Sequence, residues 1–158
     1  GNVNELAEFN IWVDVHAADI VYKSGIVVTQ AGCNVCLKTG LPLDFLAELS
    51  EMPSRISEVL KGLVAGYSDV KPDPDGNLSS IIYDAVPFLA LIDPDMVTTR
   101  DCHIDMECSS SKGGFGATLP DFSYRKEKLP VNCHDIQDLD MQKYRQLCVE
   151  MVKYYSEH

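Results

Sequence analysis

Apolar and polar residues follow one another along this chain in two different periods. Apolar residues recur at helical spacing in several segments, which are residues 14–25, 43–50, 53–63, a segment beginning near Tyr83 or Asp84 and ending at Ile92, and residues 141–155. Short β-branched or alternating runs predict strands at residues 26–31, 97–108, 116–122 and 131–136. A helix followed at once by a buried-type strand is typical of a layered α/β protein.

Turn residues separate these elements and sharpen several boundaries. Gly25 follows the first helix, and Pro53 stands at a position that the first turn of a helix tolerates. Residues 70–78 contain two prolines, a glycine and three charges, so we expect a loop there. On the last helix, one stripe of side chains should face the core, formed by Tyr144, Leu147, Cys148, Met151 and Val152.

Charge and composition narrow the classes of function. The chain has 158 residues and a formal net charge of −11, which disfavours a nucleic-acid partner. It contains no run of eighteen apolar residues, so we expect no membrane span. Its length fits a single domain.

Six cysteines are spread over the chain, and several lie inside apolar runs. We interpret them as reduced, buried thiols of a cytoplasmic protein. Cys33-x-x-Cys36 keeps one alternative open, because this spacing also occurs in dithiol redox sites and in halves of zinc sites. In that case Cys102-His103 and Cys133-His134 are the candidates for the remaining ligands.

Polar side chains are concentrated among apolar neighbours at two places. Asn2, Glu8 and Asn10 lie within the first ten residues, and Asp84 is embedded in the apolar run 81–92. Since a buried polar group is costly unless it is paired, such clusters often bind something. For Glu8 and Asp84, capping of a helix is the alternative.

These residues carry a resemblance to the nucleoside hydrolases, which split ribonucleosides into base and ribose. The resemblance rests on Gly-Asn followed by Ala-Glu-Phe-Asn-Ile, and on Tyr-Asp-Ala ahead of an apolar helix that ends in Ile-Asp-Pro. It extends over essentially the whole chain but covers only the C-terminal half of the family's domain. The acidic opening of the family, Asp-x-Asp-x-Gly-x-Asp-Asp, does not occur in this sequence. By resemblance, the fold is an open, mainly parallel sheet flanked by helices.

The resemblance also implies roles for individual residues. Asn2 and Glu8 would hold the ribose 5′-hydroxyl, and Asn10 the 2′-hydroxyl. Asp84 would be one ligand of a bound Ca²⁺ and would contact the 3′-hydroxyl. Tyr83, where the family often has a histidine, and Tyr67 would face the nucleobase.

Further expectations concern what surrounds the chain. The general base and most metal ligands would come from the family's N-terminal half, supplied as a separate chain or as a further segment. The resemblance also implies a homo-oligomer. An alternative is a paralogue that binds nucleosides or ribose but is impaired in catalysis, since a phenol is a weaker acid than an imidazolium at neutral pH.

Overall fold

The structure is a computed structural model that describes residues 1–66, 70–72, 76–109, 113–123 and 129–157. In chain order, the described elements are α1 (Phe9–Val13), α2 (Val15–Lys23), β1 (Val28–Gln30), α3 (Cys33–Cys36), β2 (Gly40–Pro42), α4 (Leu43–Glu51), α5 (Arg55–Gly66), β3 (Val70–Pro72), β4 (Leu78–Ile81), α6 (Ala85–Ile92), a 3-10 turn (Pro94–Met96), β5 (Val97–Met106), β6 (Thr118–Asp121), β7 (Cys133–Leu139) and α7 (Met141–Glu157). They divide into two compact units, formed by residues 1–33 with 98–138 and by residues 34–97 with 139–158.

The first unit is built on a four-stranded sheet with the strand order β1-β7-β5-β6. Strand β1 runs parallel to β7, whereas β6 is antiparallel to β5. Helix α2 begins where the Asp14 carboxylate accepts a hydrogen bond from the Ala17 N–H at 2.9 Å, and it ends just before Gly25 with its φ of +87°. The core of this unit is a cluster of buried side chains from α2, β5 and β7, namely Val15, Tyr22, Cys102, Ile104, Met106 and Cys133.

A buried amide ties this core together. The Asn132 side chain accepts a hydrogen bond from Ile104 N–H at 2.7 Å and donates to the carbonyls of Ile104 at 2.9 Å and Tyr22 at 3.1 Å. Because Asn132 is only 8% exposed, these three bonds replace those that water would otherwise make.

A second buried polar chain runs from α2 into the sheet. The Tyr22 hydroxyl donates to Gln30 Oε1 at 2.5 Å, and Gln30 Nε2 donates to Asp135 Oδ1 at 3.1 Å. Gln137 Nε2 donates to the other carboxylate oxygen of Asp135. Burial raises the pKa of Asp135 above its ordinary value, although the two glutamine amides act in the opposite direction.

The second unit contains a three-stranded antiparallel sheet with the order β2-β4-β3. Helix α4 packs on α5, and both α5 and α6 pack on α7. From α7 the side chains of Tyr144, Cys148 and Val152 are buried as the stripe predicts, whereas Met151 on the same stripe is 42% exposed.

The helices and strands that the sequence predicts are present, with ends that shift by a few residues. The α/β class is confirmed, and the described ladders are mixed where the resemblance favoured a mainly parallel sheet. The prediction of a loop over residues 70–78 is wrong in part, because Val70–Pro72 forms an edge strand and Leu78 begins β4. No helix within the described residues combines the length and the apolar character needed to cross a bilayer.

Candidate functional site

Asn2, Glu8 and Asn10 lie together in what we call the amino-terminal corner, residues 1–12. Asn2 Oδ1 accepts the Phe9 N–H at 2.7 Å, which closes the loop that leads into α1. Glu8 is the N-cap of α1, and its Oε2 accepts the N–H groups of Asn10 at 2.9 Å and Ile11 at 3.2 Å. The capping alternative for Glu8 therefore describes a contact that it makes.

Capping does not use all the hydrogen-bonding capacity of these side chains. Both helix N–H groups are accepted by the same oxygen of Glu8, so Oε1 can still accept a hydroxyl. Asn2 likewise uses Oδ1 and keeps its NH₂ group for donation. Asn2 and Asn10 are exposed, and Glu8 is half-buried. The corner can therefore hold polyol hydroxyl groups while its own backbone stays fixed.

A glycine from elsewhere in the unit supports this corner from behind. Ala7, fully buried, forms an isolated β-bridge with Ala117. Gly116 next to it has a φ of +86°, and a Cβ atom there would lie 3.2 Å from Ala7 Cβ and 3.3 Å from Trp12 Cα. Only a residue without a side chain allows the turn to approach the corner so closely.

Tyr83 and Asp84 form the turn between β4 and α6, which we call the Tyr83–Asp84 turn. Contacts to the backbone carbonyls on its β4 side fix this turn. The Tyr144 hydroxyl donates to the Ile82 carbonyl at 3.3 Å, and Cys36 Sγ donates to the Tyr83 carbonyl at 3.7 Å. Burial raises the pKa of Tyr144, so its phenol stays protonated and remains a donor.

Asp84 occupies the N-cap position of α6 but does not cap it. Its backbone is helical, with φ −75° and ψ −12°, and its side chain makes no capping hydrogen bond. Asp84 is exposed, so its carboxylate oxygens face solvent at the start of the helix. Ca²⁺ takes six to eight oxygen ligands, and the Asp84 carboxylate is a suitable one of them. Among the described residues, no group of three or more His, Cys, Asp or Glu side chains is arranged to hold a metal ion.

The predicted site residues are thus distributed between the two compact units. Asn2, Glu8 and Asn10 belong to the first unit, and Tyr83 and Asp84 to the second. Tyr67, predicted to face the nucleobase, lies outside the described residues.

The thiol and zinc alternative receives little support from the surroundings of its residues. All six cysteines are free thiols. Cys36 is buried and donates to the Tyr83 carbonyl. His103 Nδ1 lies 2.7 Å from the Pro130 carbonyl, and His134 Nδ1 lies 2.6 Å from Asp101 Oδ1. These Nδ1 contacts leave Nε2 of each histidine able to bind a metal, so the finding that weighs against a zinc site is that no group of three or more His, Cys, Asp or Glu side chains among the described residues is placed to hold one.

A cavity of about 380 Å³ in the first unit contains none of the predicted site residues. It lies beside β5 and β6 and is lined by Arg100, Asp101, Cys102, His103, Asp121, Phe122, Ser123, Leu129 and Val131. Arg100 stacks its guanidinium 4.2 Å from the centre of the Phe122 ring, a cation–π contact that occupies part of this surface.

Sequence reasoning missed three residues that position the candidate site: Cys36, Gly116 and Tyr144. Tyr144 was expected on a buried stripe, but nothing local indicates that its hydroxyl reaches a carbonyl 62 residues away. For Gly116 a signal exists, since Gly113, Gly114 and Gly116 crowd the start of a strand. Glycine at that place often marks a close approach of another backbone.

Comparison with known proteins finds one matching family model and several similar proteins. Residues 1–146 match the family model described as inosine-uridine preferring nucleoside hydrolase. The chain is 28% identical over 157 residues to the pyrimidine-specific ribonucleoside hydrolase RihA of Shewanella sp. (strain MR-4), covering 99% of this chain and 49% of the relative. It is 36% identical over 100 residues to uridine nucleosidase 1 of Arabidopsis thaliana, covering 63% of this chain and 30% of that relative.

Solved structures agree on the fold. A plant nucleoside hydrolase, PpNRh1, superposes with a TM-score of 0.78 at 21% identity, over 96% of this chain and 49% of that one. The chain thus spans about half the length of the RihA relatives it matches.

Proposed function

This chain belongs to the inosine-uridine preferring nucleoside hydrolase family, and we propose that it takes part in hydrolysis of the N-glycosidic bond of ribonucleosides. The observation that carries the proposal is the grouping of Asn2, Glu8 and Asn10 around the start of α1. Three polar side chains there share one small surface, and two of them keep hydrogen-bonding capacity beyond the bonds that fix the loop.

Ribose recognition explains the types of residue at this corner. Cleavage of the bond develops oxocarbenium character on the sugar, so groups that bind its hydroxyls more tightly as charge develops accelerate the reaction. In our proposal Asn2 and Glu8 bind the 5′-hydroxyl and Asn10 binds the 2′-hydroxyl. A carboxylate beside the sugar favours the developing positive charge.

Asp84 supplies one oxygen ligand to Ca²⁺ in this proposal and contacts the 3′-hydroxyl. Its exposure and the lack of a capping bond support that role, because the carboxylate is not used by its own helix. When bound, such an ion lowers the pKa of a coordinated water and orients it. Tyr144 and Cys36 act as positioning residues, since they fix the carbonyls of the turn that carries Asp84.

Tyr83 and Tyr67 are proposed to face the nucleobase, Tyr83 by stacking or by donating a hydrogen bond. The family often places a histidine at the position of Tyr83. This substitution favours a second candidate function, a protein that binds nucleosides without turning them over, because a phenol protonates a leaving base less readily.

The remaining ligands, and the base that accepts the proton of the attacking water, come in this proposal from the part of the domain that this chain does not cover. That the chain spans about half of its RihA relatives supports this division. A homo-oligomer remains a prediction from the resemblance, and a cytoplasmic location remains a prediction from the cysteines of the sequence.

The test is turnover by the completed domain. The amino-terminal half of the Shewanella RihA relative is joined ahead of Gly1 or supplied as a second polypeptide, and release of base from uridine and inosine is measured with Ca²⁺ and with excess chelator. Asp84→Asn should lower kcat/KM by about 100-fold or more, as losing a metal-site group does. Asp95→Asn is the matched control, since Asp95 is another exposed aspartate in the same unit.

Two results would count against hydrolysis. Turnover that survives Asp84→Asn as well as it survives Asp95→Asn would remove Asp84 from the site. Binding of uridine, followed by the fluorescence of Trp12 two residues from Asn10, without any base release would favour the binding protein.

A further inference from the structure

Helix α6 has an apolar surface on every side. Its sequence, Ala-Val-Pro-Phe-Leu-Ala-Leu-Ile, contains no polar side chain. One face is covered within the second unit, where Val86 is 0% and Leu89 7% exposed. A helix that is hydrophobic all round is normally buried all round.

The other face of α6 is open to solvent. Phe88, Leu91 and Ile92, spaced three and four residues apart, share one side of the helix and form what we call the α6 outer face. They are 68%, 80% and 69% exposed, respectively. Single exposed apolar residues are ordinary, but three large ones side by side on a helix without charges mark an interaction surface.

We infer that the α6 outer face is the docking surface for the part of the nucleoside hydrolase domain that this chain does not cover. This inference rests on the proposed function. The relatives that match nearly the whole chain are about twice as long, so the domain in those relatives contains about as much polypeptide again. A folded segment of that size needs a largely apolar contact, and the α6 outer face offers one without any charge.

The position of α6 gives the contact a function. Asp84 immediately precedes the helix and carries a carboxylate that its own helix does not use. A segment seated on Phe88, Leu91 and Ile92 lies beside that carboxylate and can place further oxygen ligands next to it. Docking on the α6 outer face would therefore complete the candidate metal site as well as cover apolar surface.

A second copy of this chain fits the face less well. Each copy carries a net charge of −11, so pairing two copies through this face has an electrostatic cost. The complement that we infer is instead a polypeptide of the chain's own family.

The test measures docking without substrate. The amino-terminal half of Shewanella RihA serves as the probe, and its affinity for this chain is measured by titration calorimetry. Leu91→Glu should weaken association by about 30-fold, since truncation or charging of a central apolar anchor has effects of that size. Leu63→Glu is the matched control, because Leu63 is a leucine of the same unit, 61% exposed on α5.

Hydroxyl-radical footprinting provides a second measurement that does not depend on substitutions. Oxidation of Phe88 and Leu91 should fall on addition of the probe, or in the fusion of probe and chain, while oxidation of Leu63 stays unchanged. Because the fusion needs no separate folding of the probe, protection there tests the contact even where the isolated probe aggregates.

Equal loss of affinity for the probe in Leu91→Glu and Leu63→Glu would overturn the inference. So would unchanged oxidation of Phe88 and Leu91 in the fusion. A dimer of the chain alone that Leu91→Glu dissociates would overturn it as well. Docking without turnover would contradict the proposed function and leave this inference intact. Normal turnover by the Leu91→Glu fusion, with Phe88 still open to oxidation, would contradict this inference and leave the proposed function intact.

Discussion

Replacing Gly116 with alanine should destabilise the first unit and displace the amino-terminal corner. Gly116 has a φ of +86°, and a Cβ atom there would lie 3.2 Å from Ala7 Cβ and 3.3 Å from Trp12 Cα. Ala7 is fully buried, and the Trp12 contact is to backbone, so neither neighbour can move aside freely.

Two separate costs add in this variant. The left-handed backbone costs an alanine about 1–2 kcal/mol relative to glycine. Forcing an extra methyl group against Ala7 and the α1 backbone costs about 1–3 kcal/mol more, the usual range for overpacking. We expect the free energy of unfolding to fall by about 2–5 kcal/mol, much of the stability of a small unit.

Gly25→Ala isolates the first cost. Gly25 has nearly the same φ, +87°, but no atom lies within 4 Å of the position that a Cβ atom would take there. This variant should lose only about 1–2 kcal/mol. In the double variant Ala7→Gly/Gly116→Ala, the opposing methyl group is gone, so the overpacking should be partly relieved and the two substitutions should couple favourably.

Urea unfolding followed by fluorescence measures these differences, because Trp12 is the single tryptophan and lies against Gly116. Equal losses for Gly116→Ala and Gly25→Ala would show that the close approach of the turn to the corner has no energetic weight. Strict additivity in the double variant would refute the contact with Ala7 in particular.

Two further predictions concern the buried polar groups of the first unit. Asn132→Ala should lower the free energy of unfolding by about 2–4 kcal/mol, because it removes the buried acceptor of Ile104 N–H and one donor from each of two carbonyls. A loss no larger than that of an average surface substitution, in the same urea titration, would contradict the network. Asp135 binds its proton more tightly when folded, since burial raises its pKa from an ordinary 3.8. The free energy of unfolding should therefore fall as pH rises from about 4 to the raised pKa, and level off above it. Asp135→Asn should remove this dependence of the free energy of unfolding on pH, whatever it does to stability at a single pH. If the free energies of unfolding of the variant and the unchanged protein differ by the same amount at every pH, the pKa of Asp135 is not raised.

Signals in the local sequence were sufficient to predict most of the helices and strands. Helix α2 ends just before Gly25 as the sequence predicts, and the structure adds the Asp14 cap at its start; both act within one turn of the helix. The stripe on α7 identified Tyr144, Cys148 and Val152 as buried, since a 3.6-residue period is a direct consequence of helix geometry.

Two strands that depend on partners far along the chain were missed, as were the short helices α1 and α3. Val70–Pro72 has the composition of a loop, but β4 supplies its hydrogen bonds, and Pro72 is tolerated at the end of an edge strand. Strand β2 pairs with β4 with Gly40 opposite Ile81, and Ser79 Cβ lies 3.1 Å from the position that a Cβ atom on Gly40 would take. Neither pairing leaves a signal within its own few residues.

The same contrast separates the amino-terminal corner from the Tyr83–Asp84 turn. In the amino-terminal corner the bonds are local, since Asn2 reaches Phe9 seven residues on and Glu8 reaches Asn10 and Ile11. Both partners of each of these bonds therefore lie within one short sequence motif, and the role of that motif in ribose binding stays a prediction.

The Tyr83–Asp84 turn is held instead by contacts 47 and 62 residues apart, from Cys36 and Tyr144. A tripeptide such as Tyr-Asp-Ala therefore indicates the carboxylate but not what fixes it. It follows that substitutions in the corner should act mainly on the loop that contains them, whereas the orientation of Asp84 depends on the packing of α3 and α7. A change at Tyr144, far from any predicted ligand, is thus expected to reach the candidate metal site through the Ile82 carbonyl.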